Sequence, residues 1–197
     1  MAVPAHYAIT EIVIIVVSLY SIYILNNRKD YFAMIGISFI AFAATVGAIR
    51  FGLTTNVSIV HLNKILGIYS GLSCIGLVCV QMAFNLQWKY VYKILIAILI
   101  LSLFFSILWP KQFIFFYLIL MWSAISILTV MNYPNIKITK RIMRGLLMSM
   151  LLISFLTVRK NGVLADLLGP SMSFHAYHII IALWIFSITQ LIKKPHR

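Results

Sequence analysis

The sequence predicts an all-α polytopic membrane protein: a single domain over residues 1–197, built as a seven-transmembrane-helix bundle with its N-terminus outside and its C-terminus cytoplasmic. Three observations predict it. Of the 197 residues, 63% are hydrophobic and 10% charged, whereas a soluble domain carries about 45–50% and about 25%; mean hydropathy is +1.04. The apolar residues gather into runs of about 20, the length of helix that crosses a hydrocarbon core about 30 Å thick. The cations lie between those runs, denser in alternate connections.

The runs place spans near 8–26, 31–51, 59–84, 89–109, 112–132, 142–158 and 174–192. The residues preceding the first, MAVPAHYAITE, lack a basic stretch, and no small-residue cleavage site follows, so this run is expected to remain a membrane helix. Short polar connections separate the spans: Asn26-Asn27-Arg28-Lys29-Asp30, Asn85-Leu86-Gln87-Trp88-Lys89, Trp109-Pro110-Lys111 and Asn132-Tyr133-Pro134-Asn135. Pro110 ends one helix and can open the next, giving a tight hairpin. The gap at 159–173 is longer and holds two turn signals, Asn161-Gly162 and Gly169-Pro170. No connection has room for a soluble domain, and no internal repeat stands out.

Counting cations by side sets the orientation. Arg28, Lys29, Lys89, Lys93, Lys137, Lys140, Arg141, Arg144, Lys193, Lys194 and Arg197 fall on one side; Arg50, Lys64, Lys111, Arg159 and Lys160 fall on the other. The richer side is cytoplasmic, because cations are retained there during insertion. The net charge of +13 therefore reflects membrane topology, and a nucleic-acid partner is excluded, since no helix or sheet carries a basic stripe. Trp88, Trp109, Tyr31, Tyr133 and Tyr177 sit near the proposed interfaces. Small residues at Gly36, Ala41, Ala44 and Gly47, and at Gly67, Ser70, Gly71 and Cys74, let helices approach closely. Cys74 and Cys79 point to different sides of one helix, so they read as buried small hydrophobes and not as a disulfide.

The remaining ionisable residues gather at the outer side. Four of the five histidines and two of the three acids lie there, leaving His196 and Asp30 on the other. Glu11 sits one turn inside the first span, where a carboxyl is costly unless paired or protonated; Arg50, at similar depth, is the expected partner. His175 and His178, at i and i+3, share a helix face and can meet one metal ion. His61 is the expected third ligand, with Glu11 or Asp166 as a fourth ligand or as the holder of a water. Lys64, one turn past His61, is expected to snorkel to the interface. Hydroxyls deeper in the spans, such as Ser18, Ser70 and Thr189, are expected to bond back to their own helices. No chain of acids or histidines crosses the membrane, which speaks against an ion-coupled pump, and no mid-span histidine pair offers a haem site.

This arrangement resembles the alkaline ceramidase and progestin-and-adipoQ receptor (CREST) superfamily. Phe174-His175-Ala176-Tyr177-His178 matches the two histidines that open that superfamily's last helix, with spacing one residue narrower. His61-Leu62-Asn63-Lys64-Ile65-Leu66-Gly67-Ile68 is similar to the start of its third helix. Arg50 stands where the superfamily has histidine, and Asn63 near its aspartate. The resemblance implies a seven-helix fold and zinc-dependent hydrolysis of an amide. Three functions follow for the chain. One is a metal-binding protein or metal-dependent lipid or amide hydrolase, with zinc on His61, His175 and His178, Glu11 and Asp166 as catalytic acids, and Arg50, Asn63 and Lys64 as ligand or ion-pair groups. The second is a channel or carrier for a small solute, and the third an accessory subunit packed on other membrane proteins or on its own copies. The lipid bilayer is the expected partner throughout, with a lipid or small molecule as ligand. Compact loops without sorting segments point to a bacterial inner membrane.

Overall fold

The computed structural model describes residues 5–53, 56–84, 93, 97, 100–101, 104, 111–131, 137–158 and 163–192. Among them there is no strand, and six continuous helices are present: α1 (Tyr7–Arg28), α2 (Tyr31–Gly52), α3 (Val57–Phe84), α4 (Lys111–Met131), α5 (Ile138–Thr157) and α6 (Ala165–Leu191). Lys93, Ala97, Ile100, Leu101 and Phe104 are also helical. Four helical segments are long and apolar enough to cross a membrane, at Tyr7–Arg28, Tyr31–Gly52, Val57–Met82 and Ala165–Leu191. That is the build of an integral membrane protein.

α1 is inverted in part relative to a surface helix of a soluble protein. On α1 the exposed face carries Ile9, Val16, Leu19 and Tyr23, whereas Thr10, Glu11, Ser18 and Ser21 are buried. In water this exposes the apolar face and buries the polar one; in lipid it is the stable arrangement, because hydrocarbon solvates the first and the bundle interior shelters the second.

Each helix packs on its chain neighbour, α1 on α2, α2 on α3, α3 on α4, α4 on α5 and α5 on α6, and α6 returns to α1. The side-chain register gives their directions. Arg50 meets Asn63 while Phe32 meets Gln81, so α2 and α3 are antiparallel. Tyr117 donates to Leu72 O and Thr129 to Met82 Sδ, so α3 and α4 run parallel. Tyr7 stacks on Phe174 and Arg28 donates to Thr189 O, so α1 and α6 are also parallel. One end of the bundle, the His6 end, therefore holds the starts of α1, α3, α4 and α6. Residues 72–82 of α3 are buried on every face, and with Met148, Trp184, Ile185 and Ile188 they form the core. Trp184 satisfies its indole N–H on Met148 O at 2.9 Å. At Gly36 the α2 and α3 backbones nearly touch: a Cβ there would lie 2.9 Å from Cys74 Cα.

Two junctions differ from expectation. The last helix begins at Ala165, nine residues before the expected span at 174, and Gly169 (φ 73°, ψ 164°) breaks it without ending it. Pro170 then opens the main segment, where its missing N–H costs nothing. Between α1 and α2 the turn is closed by Lys29 in the left-handed region, with Asp30 N–H reaching Leu25 O at 2.9 Å. The expected span at 89–109, the Pro110 hairpin and the interfacial Trp88, Trp109 and Tyr133 lie outside the described residues, apart from the five helical positions just named. Cys74 and Cys79 are buried and free.

Candidate functional site

The parallel α1 and α6 start side by side, which brings residues 6–11 against residues 171–178. Glu11 Oε1 lies 3.3 Å from His178 Nε2, with side chains 8% and 15% exposed. His178 Nδ1 lies 2.8 Å from Phe174 O. A carbonyl oxygen can only accept, so Nδ1 carries a proton. Nε2 faces a carboxylate oxygen, and two bare acceptors at 3.3 Å would repel. One further proton must therefore sit between them, on the ring or on the carboxyl. The pair has the geometry of a carboxyl–imidazole dyad.

A second contact runs beside the first. Thr10 Oγ1 donates to Tyr7 O at 3.2 Å and lies 3.3 Å from His175 Nδ1. Either group can be the donor in this second contact, according to the His175 tautomer. The exposed His6 reaches Ser171 Oγ through Nε2 at 2.9 Å, and its ring centroid is 5.1 Å from that of His175. Aromatic rings wall the dyad: Phe174 stacks on His178 at 3.9 Å and on Tyr7 at 4.2 Å, and Phe51 meets both Tyr7 and Phe174 edge-on. Opposite them, α2 makes room at Gly47, where a Cβ would stand 2.5 Å from Glu11 Oε1.

Several sequence expectations are revised here. Arg50 is not the ion partner of Glu11. Its Nη1 donates to Asn63 Oδ1 at 2.9 Å, tying α2 to α3, its guanidinium lies 4.8 Å from the Phe51 ring centroid, and the Glu11 carboxylate acts on it only across a longer gap. His61 and Lys64 are exposed on α3, and Asp166 is exposed in the first turn of α6 without contact to the dyad. Among the described residues no three His, Cys, Asp or Glu side chains stand close enough to hold a metal ion. The set His61, His175 and His178 is thus not brought together: His61 is exposed on α3, and His178 Nε2 and His175 Nδ1 face Glu11 and Thr10. His175, His178 and Glu11 do converge, joined by Thr10, Tyr7, His6, Ser171 and Gly47.

Comparison of the chain with protein-family models, with curated proteins and with solved structures finds no match.

The opposite end of the bundle holds a smaller polar group. Asp30 is fully buried in the α1–α2 turn, where Gln81 Nε2 donates to its Oδ1 at 3.2 Å while Gln81 Oε1 accepts from Phe32 N–H at 3.1 Å. Its Oδ2 has no partner. Burial pushes the Asp30 carboxyl up to about 6, against the lowering pull of Arg28.

Proposed function

We propose that the chain is a seven-pass membrane protein whose Glu11–His178 dyad, at the outer face, is an acid–base centre acting on the polar group of a lipid-borne or small amphiphilic substrate. The seven-pass count is supported by the parallel α3 and α4: the chain leaves α3 at the Asp30 end and enters α4 at the His6 end, so one more pass has to return it. An odd count makes the first and last passes parallel, which agrees with α1 and α6. The cation distribution supports placing the His6 end outside.

The observation that carries the functional reading is the 3.3 Å approach of Glu11 Oε1 to His178 Nε2, which leaves room for one shared proton. Without it the dyad can take a proton from an attacking water; with it the dyad can deliver one to a departing amine or alcohol. Both halves of amide or ester hydrolysis need such a group, and positioned acid–base groups contribute about 10²–10⁴-fold. The CREST resemblance supports the same substrate class.

The test is a mass-spectrometric search for cleavage products after purified protein is mixed with vesicles containing amide-linked and ester-linked lipids. Wild type should release fatty acid from at least one class, and Glu11→Gln and His178→Ala should each lose at least about a hundredfold. Release that survives both substitutions removes the dyad from the reaction. No release from any lipid by wild type removes the hydrolytic reading.

A further inference from the structure

The direction of α5 follows from its contacts with α6. Trp184 Nε1 donates to Met148 O at 2.9 Å, and the Phe155 and Tyr177 ring centroids lie 6.5 Å apart. The two helices are therefore antiparallel, and α5 starts at the Asp30 end. Lys137, Lys140, Arg141 and Arg144 crowd that start, and no acid lies on α5 or on the connection before it. This reverses what a helix favours. Its N-terminus carries partial positive charge from N–H groups without intrahelical partners, and acids are the residues that settle there. Lys137, at the cap position, gives those groups no side-chain hydrogen bond. Lys137 and Lys140 are both exposed. Cations and open N–H groups at one helix end suit an anion, and the three acids of the chain are placed elsewhere. Glu11 faces His178, Asp166 is in the first turn of α6 at the other end, and Asp30 is buried in the α1–α2 turn on Gln81.

The same face of α5 continues as a groove. Arg144, Leu147, Met150, Ser154 and Val158 follow Lys140 at helical spacing. From Met143 to Val158 this face lines an apolar groove of about 380 Å³, to which α6 contributes Ile180. The hydroxyls in it ask nothing of an occupant: Ser154 donates to Leu151 O and Thr157 to Ile153 O, both at 2.8 Å. From Met143 to Val158 the helix rises about 22 Å, against a hydrocarbon core about 30 Å thick. A chain entering at the Asp30 end therefore passes the midplane. The volume spread over that length gives a cross-section of about 17 Å². A helix 10 Å across needs roughly 80 Å², so it could not enter. A single hydrocarbon chain can.

We propose that the start of α5 and this groove bind one anionic phospholipid from the leaflet at the Asp30 end. Its phosphate lies against Lys137, Lys140 and the first-turn N–H groups, and one acyl chain runs along α5 toward Val158. Apolar surface alone accepts any lipid tail; the cations at its mouth select the headgroup, since basic residues beside a membrane attract anionic lipids. Because Ile180 shares the groove, the bound chain also ties α5 to α6. The site is at the opposite end of the bundle from the Glu11–His178 pair and does not rest on the reading given above for that pair.

The test titrates the full chain, purified in neutral detergent and stripped of lipid, with phosphatidylglycerol or with phosphatidylcholine, and counts bound lipid by native mass spectrometry. One phosphatidylglycerol should bind at least about tenfold more tightly than phosphatidylcholine, the order that two lysines on an anionic headgroup supply. Lys137→Gln/Lys140→Gln, a change at exposed positions, should lose that preference. Met150→Trp, which fills the groove and leaves the cations, should weaken phosphatidylglycerol by a similar factor. Leu19→Trp, on the exposed face of α1, should bind as wild type does. Helical content and gel-filtration behaviour are checked first, with Leu147→Phe as a second groove variant should the tryptophan not fold. Inorganic phosphate in large excess should not displace the lipid; if it does, the site is a bare anion site and the proposal falls. Equal affinity for the two lipids, or a preference that survives either the lysine or the groove variant, overturns it. A dimer that holds no lipid and is lost in Met150→Trp gives the groove to a second copy and overturns it as well.

Discussion

A Cβ built on Gly47 would stand 2.5 Å from Glu11 Oε1 and 2.7 Å from its carboxyl carbon, so the missing side chain on α2 is what gives the acid its place beside His178. Carboxyl atoms held between a backbone and an imidazole have little freedom to retreat. Gly47→Ala should therefore behave as overpacking at a functional group, costing about 1–3 kcal/mol and moving Glu11 off His178. Thermal unfolding in detergent should show a lower midpoint than wild type, and the infrared band of the Glu11 carboxyl should shift. Gly52→Ala is the control, since its Cβ would meet only Ala8 Cβ at an ordinary 3.6 Å. An unchanged midpoint and band in Gly47→Ala would mean that the acid does not depend on this notch. The sequence marked Gly47 as a small residue for helix contact. That is correct for its backbone, but it could not disclose that the object in contact is a carboxylate.

At the scale of the element, α6 owes its placement to two adjacent residues. Gly169 adopts φ 73° and ψ 164°, a region open almost only to glycine, and Pro170 restarts the helix with its preset φ. The turn signal was legible in the sequence. That helix continues on both sides of it was not, because Gly-Pro ends helices in most settings and the 165–168 turn is largely exposed. Ser173 helps, donating from Oγ to Ala165 O at 3.3 Å across the break. Gly169→Ala should cost about 1–3 kcal/mol through backbone strain and should turn Ser171 and His175 away from α1. The matching comparison is Gly71→Ala in α3, where a Cβ meets nothing within 4 Å; it should be neutral or slightly stabilising, as alanine is the better helix former. Unfolding midpoints of the two variants side by side test the assignment, and equal midpoints would contradict it.

For the whole molecule, legibility followed periodicity and failed where contact depends on neighbouring helices. Apolar runs placed the described helices within a few residues, apart from the start of α6. An odd number of passes makes the first and last parallel, so Glu11 and the His175–His178 pair were expected at one depth. Which of Arg50 or His178 would reach Glu11 depends on helix rotation, and neither spacing nor composition encodes rotation about an axis. For the same reason His61, at the right depth, could not be known to face outward. The sidedness of the molecule remains a prediction of the cation count, and the protein offers a clean way to test it. Cys74 and Cys79 are buried, so replacing both by alanine removes background thiols without touching the surface. Into that chain, Ser58→Cys at the start of α3, Asp166→Cys at the start of α6 and Asn27→Cys at the end of α1 each place one thiol at an exposed position. On intact cells a membrane-impermeant maleimide should label the Ser58→Cys and Asp166→Cys variants. It should label Asn27→Cys only after permeabilisation. Agreement of Ser58→Cys with Asp166→Cys tests the packing, because α3 and α6 must then start on one side, and their labelling from outside tests the orientation. The reverse pattern would put the dyad on the cytoplasmic face, where its substrate would have to come from the inner leaflet.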